Sequence, residues 1–409
     1  MGTERVPQVL KRTMPGTGDE VSILGFGCMR FKRNLGATDM EKAERLVAAA
    51  LAAGVNYFDT AYIYPGNEKA TGALLNKTDE LGKRRDRVFV ATKLPFMMVK
   101  TREDMDKYLL ASLDRLGMDY IDYYLVHSIS DFAAWEKGKR LGLPEFLRGA
   151  KAAGKIRHIG FSWHGNLHDF RLVVDDFDWE FCQIQYNYLD ENFQAGTEGL
   201  EYAAAKGVGL VVMEPLRGGM IVGKMPPAAK RIIEGYRDAS GLKRSPAEWG
   251  LRWVWNHPEA GCVLSGMNEP AQVEENCRAA SDALAGSLAH ADLAMIGSVR
   301  DVFQGAIKVN CTGCAYCMPC PYGVNIPSCF ASYNSHAMFG GMNAKLMYNF
   351  SMRGGKGKPQ KASACKKCGV CEKKCPQHIP IIKTLEEAAG TLESPFFNIM
   401  VKVADRFIG

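Results

Sequence analysis

The chain has 409 residues, which is enough for one large domain and a smaller one, because single hydrophobic cores stop growing at roughly 250–300 residues. Its composition, 47% hydrophobic and 23% charged, is that of an ordinary globular protein, and a formal net charge of +6 is mild for this length. No Lys/Arg run resembles a nucleic-acid-binding arm, and no apolar run approaches the ~18 residues of a membrane span. We therefore expect neither a nucleic-acid partner nor a membrane-spanning segment.

The cysteines are the unusual part of the composition. Of 13 in total, eight fall in two tight runs after residue 310. The amino-terminal residues are charged and contain no apolar block, so we expect no secretory signal and a cytoplasmic protein. In a reducing compartment, closely spaced cysteines favour metal binding over disulfides.

Along the chain, a predicted hairpin comes first, where Val6–Thr13 and Val21–Leu24 flank Gly16-Thr17-Gly18. Helices and short apolar strands then alternate to about residue 280. The predicted helices are Ala37–Ala53, Glu68–Leu75, Arg102–Leu116, Pro144–Ala153, Leu167–Asp176, Gly196–Lys206, Ala228–Tyr236, Pro246–Asn256 and one from Pro270 to about Ala280. The strands that follow the hairpin are Val55–Ala61, Val88–Leu94, Tyr120–His127, Ile156–Phe161, Phe181–Tyr186, Gly209–Met213 and Cys262–Gly266.

This alternation indicates parallel βαβ units. About eight strands over roughly 280 residues is the size of a (β/α)₈ barrel. A doubly wound open sheet is the alternative, but the stretch Gly25-Phe26-Gly27-Cys28-Met29-Arg30 lacks the third glycine of a dinucleotide-binding fingerprint. We therefore expect a TIM barrel over residues 1–300 and a small, mainly helical domain over residues 301–409.

Ionisable side chains follow three adjacent predicted strands. Asp59 and Tyr64 come after the second strand, Lys93 after the third and His127 after the fourth. In a parallel barrel, the carboxyl ends of the strands face the active site. Each residue alone has a structural explanation, but packing does not explain the four together. The sequence therefore predicts a catalytic site at the mouth of the barrel formed by the carboxyl ends of the strands.

These residues carry a resemblance to the aldo-keto reductase superfamily. The matching motifs, in the family's order over about residues 6–280, are Asp59-Thr60-Ala61-x-x-Tyr64, Ala91-Thr92-Lys93, Leu125-Val126-His127, Gly160-Phe161-Ser162 and Glu275-Asn276. The resemblance implies a (β/α)₈ barrel that binds NAD(P)H without a Rossmann motif. It implies a catalytic tetrad of Asp59, Tyr64, Lys93 and His127, and it implies that Ser162 and Gln183 hold the nicotinamide carboxamide. Met213 stands where the family usually has an aromatic residue that stacks on the nicotinamide, and Glu275 and Asn276 match the family's adenine contacts.

The tetrad has a direct chemical interpretation. Carbonyl reduction needs a proton as well as a hydride, and Tyr64 is the candidate acid. A free phenol has a pKa of ~10, so we expect Lys93 to lower the pKa of Tyr64 and Asp59 to hold Lys93 charged. We expect His127 to hydrogen-bond the substrate oxygen.

Other positions depart from the family pattern. No Lys or Arg lies between Val263 and Cys277, and Gly266 and Gln272 stand where phosphate-preferring members have basic residues. We therefore expect NADH to serve at least as well as NADPH, unless Arg217 or Lys224 approaches from another loop. The predicted pocket wall is apolar and rich in methionine, and consists of Met29, Phe31, Tyr62, Phe96, Met97, Trp163 and Glu214.

The two cysteine runs differ by one residue. The first reads Cys311-x-x-Cys314-x-x-Cys317-x-x-Cys320-Pro321, and the second reads Cys365-x-x-Cys368-x-x-Cys371-x-x-x-Cys375-Pro376. The second has the bacterial ferredoxin spacing, in which the fourth cysteine serves the other cluster. We therefore expect two [4Fe–4S] clusters, one on Cys311, Cys314, Cys317 and Cys375, the other on Cys365, Cys368, Cys371 and Cys320. Zinc in Cys₄ sites is the alternative, and the repeated spacing followed by Cys-Pro favours iron–sulfur.

The two-part architecture resembles the iron–sulfur-containing branch of the aldo-keto reductases. This implies an NAD(P)H-dependent oxidoreductase that interconverts a small-molecule carbonyl and an alcohol. Two alternatives stay open: an electron-transfer oxidoreductase served by a ferredoxin-like partner, and a non-catalytic regulatory or scaffold protein. Clusters pass single electrons whereas nicotinamide exchanges hydride, and the sequence shows no flavin signature that would link the two. Substrate and oligomeric state are left open.

Overall fold

The computed structural model describes residues 7–34, 36–311, 313, 316–352 and 360–393, without the side chains of Asn343 and Phe350. The chain divides into two units, Met1–Val222 with Lys243–Ala294, and Gly223–Leu242 with Met295–Gly409. The predicted division at residue 300 stays a prediction. Within the described residues, no helix has both the length and the apolar character needed to cross a membrane.

The first unit contains a closed barrel of eight parallel strands, which confirms the predicted fold and excludes the open sheet. Each strand pairs with its neighbours in chain order, and the last pairs with the first. The strands are β1 (Leu24–Gly27), β2 (Tyr57–Asp59), β3 (Phe89–Leu94), β4 (Ile121–Ile129), β5 (Ile156–Trp163), β6 (Phe181–Gln185), β7 (Gly209–Met213) and β8 (Cys262–Ser265).

Helices follow the strands and continue into the second unit. They are α1 (Met40–Ala52), α2 (Asn67–Leu75), α3 (Arg102–Leu116), α4 (Phe132–Arg140), α5 (Leu143–Ala152), α6 (Leu167–Asp175), α7 (Gly196–Ala205), α8 (Met220–Gly223), α9 (Pro227–Ser240), α10 (Pro246–Trp255), α11 (Pro270–Ala280), α12 (His290–Gln304), α13 (Ile326–Phe339), α14 (Gly341–Ser351), α15 (Val370–Lys374) and α16 (Ile381–Leu392). Short 3₁₀ turns cover Cys28–Arg30, Arg84–Arg87, Phe96–Met98, Arg217–Gly219 and Ala362–Ala364. Minor strand pairs join Arg33–Asn34 to Ala37–Thr38 and Thr78–Asp79 to Gly82–Lys83.

The amino-terminal hairpin closes the floor of the barrel. Lys11–Thr13 pairs antiparallel with Glu20–Ser22, as predicted. Met14, between them, is fully buried and packs in the same apolar cluster as Tyr123 of β4. Gly209 allows this approach, because a Cβ there would lie 2.6 Å from the sulfur of Met14. The hairpin therefore fills the amino-terminal end of the barrel, and the carboxyl ends of the strands, where sites form in such barrels, lie at the opposite mouth.

The second unit is mainly helical, as predicted. Its apolar core is formed around residues of α13, α14 and α16, such as Phe330, Tyr348 and Leu385. Cysteines of both runs pack against or within this core: Cys311, Cys317, Cys320, Cys365, Cys371 and Cys375. The two runs therefore belong to one folded body, although more than forty residues of sequence separate them.

Candidate active site and cysteine cavity

The mouth of the barrel gathers the predicted site residues from β2 to β7. Asp59 is the last residue of β2, and Lys93 and His127 lie near the ends of β3 and β4. Ser162 of β5 stands directly opposite Gln183 of β6 in the strand register. Met213 ends β7. The structure thus brings together the residues that the sequence places on separate strands.

Asp59 and Lys93 form a buried ion pair. The Nζ atom of Lys93 donates to Oδ1 and Oδ2 of Asp59 at 2.7 and 2.6 Å, and to the carbonyl oxygen of Thr60 at 2.8 Å. Burial alone would lower the pKa of Lys93, but the charge of Asp59 raises it overall. Burial raises the pKa of Asp59, and the charge of Lys93 opposes that rise. Lys93, only 1% exposed, therefore stays protonated, as predicted.

Tyr64 lies beside this pair, with the Lys93 Nζ 5.6 Å from the centre of its ring. Burial raises the pKa of Tyr64, and the charge of Lys93 acts in the opposite direction without reversing it. The expected net lowering of the pKa is therefore wrong for the protein alone. The reason is burial, which outweighs the charge of Lys93. The three N–H donors of that ammonium are already directed at Asp59 and Thr60.

The loop that carries Tyr64 is fixed by buried polar groups that the sequence analysis did not identify. The Thr60 hydroxyl donates to Oδ1 of Asn67 at 2.5 Å, and Nδ2 of Asn67 donates to the carbonyl oxygen of Cys28 at 2.8 Å. Glu68, beside it, is 1% exposed. The polar pair Asn67-Glu68, shortly before the apolar positions Ala70, Leu74 and Leu75, is the signal that was available in the sequence.

His127 lies in a bulge of β4. The register of β4 against β5 shifts between residues 126 and 129, and Ser128 has a φ of +58°. The His127 and Tyr64 rings are perpendicular, with centroids 6.2 Å apart. Burial lowers the pKa of His127 to about 3, and the charges of Lys93 and His164 act in the same direction. His127 is therefore neutral, and its Nδ1 has no hydrogen-bond partner among the described residues.

Next to His127, Ser162 and Gln183 form a polar shelf. The Ser162 hydroxyl oxygen accepts from the backbone N–H of Ser128 at 2.8 Å. Nε2 of Gln183 contacts the sulfur of Met213 at 3.3 Å. The Oε1 of Gln183 is buried without a partner in the described part of the chain. A buried acceptor left unpaired is unfavourable, so this shelf fits a ligand with an N–H donor, such as a carboxamide.

The two predicted adenine contacts lie on α11. Asn276 is buried, and its Nδ2 donates to the hydroxyl of Ser265, at the end of β8, at 3.0 Å. Glu275 is partly exposed beside it.

Two lysines reach the start of the same helix from the loop after β1 and from α1. Lys32 and Lys42 both pair with the carboxylate of Glu269, Lys42 at 2.5 Å. Their hydrogen bonds hold the pKa of Glu269 at about 2. Glu269 also forms a capping box with Gln272. Lys32 and Lys42 are thus close to the stretch between residues 263 and 277, but both are already paired with the carboxylate of Glu269.

Arg30, also after β1, spans the mouth between two loops. A Cβ atom on Gly266 would lie 2.4 Å from Cγ of Arg30, and one on Gly218 would lie 2.6 Å from a guanidinium nitrogen. The arginine stem therefore rests on Gly266, and its head reaches Gly218. The side chain is exposed, and its charge acts on both Tyr64 and Glu214. Arg30 thus supplies a cation at Gly266, where the sequence shows none.

Of the two cations suggested by the sequence, Arg217 is held in an ion pair, with its Nε 3.0 Å from a carboxylate oxygen of Asp190. Lys224 belongs to the second unit. Arg30, which no sequence pattern indicated, is a cation that the first unit presents at Gly266.

The predicted apolar wall needs a correction. Met29 and Met97 are 57% and 66% exposed at the mouth. Trp163 is fully buried instead, with its ring packed against Phe161 and Phe170. Successive residues of a strand point to opposite faces, so Trp163 faces the helices while Ser162 faces the barrel interior.

In the second unit, one cavity is lined by cysteines of both runs. Cys311, Cys317 and Cys375 face it, together with apolar residues that include Ile326 and Phe330. The fourth cysteine of the second run thus stands with the first run. Among the described residues, no three His, Cys, Asp or Glu side chains converge to hold a single metal ion.

The remaining run cysteines are placed as follows. Cys320 and Cys365 pack against the apolar core of the second unit, and Cys371 is buried within it. Cys368 is exposed. The backbone N–H of Lys367 donates to the sulfur of Cys365 at 3.4 Å. Cys314 lies outside the described residues.

Comparisons with known proteins match two separate parts of this chain. A family model described as the aldo/keto reductase family matches residues 23–288, and one described as a 4Fe-4S dicluster domain matches residues 310–379. L-galactose dehydrogenase of Arabidopsis thaliana is 28% identical over 292 residues, 66% of this chain and 88% of that protein. An aldo-keto reductase of Mycobacterium sp. (strain KMS) is 30% identical over 290 residues, 69% of this chain and 91% of that protein.

The chain is also similar to a probable channel subunit and to a solved structure. A probable voltage-gated potassium channel subunit beta of Arabidopsis thaliana is 26% identical over 300 residues, 64% of this chain and 88% of that protein. Among solved structures, the holo form of an aldo-keto reductase from Bacillus halodurans matches with a TM-score of 0.58 and 25% identity. It covers 71% of this chain and 96% of its own.

Proposed function

The chain is an oxidoreductase of the aldo/keto reductase family that carries a 4Fe-4S dicluster domain, and we propose that it interconverts a small-molecule carbonyl and its alcohol with NAD(P)H. The observation that carries the proposal is the buried Asp59–Lys93 pair beside Tyr64 and a neutral His127. When bound, the reduced nicotinamide supplies a hydride to the carbonyl carbon. All other steps belong to side chains of this barrel.

Tyr64 is the proton donor. Because burial raises its pKa, the phenol is fully protonated at neutral pH, as an acid must be before it reacts. An alkoxide is more basic than a phenolate, so transfer of this proton to the developing alkoxide is favourable. The fixed charge of Lys93 then stabilises the phenolate that forms.

His127 orients the substrate. A neutral imidazole donates a hydrogen bond to the carbonyl oxygen without becoming a competing acid. Its low pKa keeps it in that form across the physiological range. The bulge at Ser128 sets its direction toward the Tyr64 side of the mouth.

The shelf of Ser162 and Gln183 fits the carboxamide of the cofactor, because Gln183 Oε1 has no hydrogen-bond partner among the described residues. We place a cofactor phosphate at Arg30, whose exposed side chain lies with its stem on Gly266 and its guanidinium beside Gly218. Met213 lines the nicotinamide site, and Glu275 and Asn276 hold the adenine end.

For the second unit we propose two [4Fe–4S] clusters with crossed fourth ligands. The cavity shared by Cys311, Cys317 and Cys375 supports the first set, which Cys314 completes. Cys365, Cys368, Cys371 and Cys320 form the second. Iron determination after anaerobic purification separates this assignment from zinc.

The test of the proposed chemistry is Tyr64→Phe. We expect carbonyl reduction to fall by about 10²–10⁴, while the Kd of NADPH stays unchanged, because only the proton donor is lost. Tyr202→Phe is the matched control: it lies on α7, its hydroxyl donates to a carboxylate oxygen of Asp175 on α6 at 2.5 Å, and the variant should keep full activity. Near wild-type turnover by Tyr64→Phe would assign the proton to another group. No turnover by the wild type with any carbonyl would favour a regulatory role.

A further inference from the structure

The second cysteine run lies on a basic surface. Lys366, Lys367, Lys373 and Lys374 are all exposed, and we call these four residues the lysine face. Between Cys365 and Cys375, Glu372 is the single acidic residue. The first run is different, because no charged residue occurs between Cys311 and Cys320. The two cluster regions thus present surfaces of different charge.

The acidic neighbours do not cancel this charge. Glu372 is half-buried, and its Oε1 accepts from the backbone N–H of Ile382 at 2.9 Å. Glu386 pairs with Lys367 alone. In the described part of the chain, Lys366, Lys373 and Lys374 have no ion pair. The face therefore stays net positive and open to an anionic surface.

One of the proposed cluster ligands is accessible and lies between the two lysine pairs in the sequence. Cys368 is exposed, next to Lys367 in sequence, and Val370 is 41% exposed beside it. An accessible ligand places one edge of its cluster near the surface. Charges around a small apolar contact are typical of weak, transient electron-transfer interfaces.

We propose that the lysine face docks an acidic one-electron carrier protein. The cluster that Cys365, Cys368, Cys371 and Cys320 would hold would accept one electron from the docked carrier, which would be oxidised by one electron, with no bond made or broken. Opposite charges steer the encounter and fix which end of the carrier approaches Cys368. This inference rests on the proposed cluster assignment.

The test uses the full chain, purified anaerobically, and a bacterial-type acidic ferredoxin as the probe. Calorimetry gives the Kd, and stopped-flow absorbance gives the rate of electron transfer from the reduced probe. We expect the Kd to weaken more than about tenfold when all four lysines of the face become Gln. It should also weaken in the wild type as salt rises from about 0.05 to about 0.5 M.

The matched control replaces four exposed lysines of the first unit by Gln: Lys11, Lys69, Lys107 and Lys137. It loses the same total charge and should bind the probe like the wild type. If the fourfold face variant loses iron, the pairs Lys366/Lys367 and Lys373/Lys374 are replaced separately, and each should weaken binding.

Three results would overturn the inference. The first is that the face variant binds the ferredoxin as well as the control does. The second is that the wild type with full iron content binds no ferredoxin. The third is that the same lysines are needed instead for binding RNA or anionic vesicles. Wild-type protein that holds no iron would contradict the cluster assignment itself, and iron analysis detects that separately from binding.

Discussion

Replacing Asp59 by Asn should destabilise the barrel strongly. Asn keeps the shape of the side chain but leaves the ammonium of Lys93, 1% exposed, without its countercharge. Breaking a buried ion pair in this way costs about 3–5 kcal/mol, because an uncompensated charge stays in a poorly solvated place. In the double variant Asp59→Asn/Lys93→Met both charges are gone, so most of that loss should be regained.

Tryptophan fluorescence measures the free energy of unfolding of the barrel without a signal from the second unit. All six tryptophans lie between residues 135 and 255, in the first unit, so guanidinium unfolding followed by their emission reports the barrel alone. The control is Glu41→Gln, which breaks the exposed pair with Arg45 and should cost less than about 0.5 kcal/mol. A loss below about 1 kcal/mol for Asp59→Asn, or additive effects in the double variant, would refute the buried-pair reasoning.

Three further outcomes are expected. Arg30→Gln should weaken NADPH or NADH binding by about 10–100-fold in a fluorescence titration, because a charge-assisted hydrogen bond is lost. The control Arg45→Gln should leave the Kd unchanged. An unchanged Kd for Arg30→Gln would remove Arg30 from the cofactor site. The pKa of His127, about 3 in the fold and ~6.5 unfolded, means that the unfolded chain binds more protons between these values. Barrel stability should therefore fall as pH drops through that window, and His127→Asn should flatten the slope by up to about 1.4 kcal/mol per pH unit; an unchanged slope would argue against a buried neutral imidazole. Cys375→Ala should remove the cluster on Cys311 and Cys317 and spare the other by EPR; the reverse loss would mean that each run closes its own site.

The grouping of Asp59, Lys93 and His127 at one mouth could be predicted from the sequence because a barrel turns chain order into spatial order. The three residues lie at or near the carboxyl ends of consecutive strands, and consecutive parallel strands are neighbours. Recognising the alternation of strands and helices was therefore enough to bring them together. Successive residues of a strand point to opposite faces, which puts Ser162 and Trp163 on different sides of β5. The prediction that Trp163 lines the pocket is wrong for this reason.

Arg30 and Lys32 could not be placed from the sequence. They lie more than 230 residues from Gly266 and Glu269, and they reach them because β8 closes the barrel against β1, with Ser265 beside Phe26. No local sequence pattern indicates that β8 and β1 are neighbours. The pKa of Tyr64 is a similar case, since the depth of burial depends on the assembled mouth. The start of α1 at Met40 rather than Ala37 is more local, because Asp39 caps the helix by accepting from Lys42 N–H at 3.0 Å.

Isotope transfer tests the proposed chemistry most directly. Anaerobically purified full-length protein is mixed with nicotinamide cofactor deuterated at C4, in each stereochemical form, and with a panel of apolar carbonyl compounds. Mass spectrometry should find deuterium from one form of the cofactor on the carbinol carbon of the product, and none there from heavy water. Hydrogen from the solvent on that carbon would instead mean that electrons arrive singly and a proton follows, which would contradict hydride transfer in the barrel.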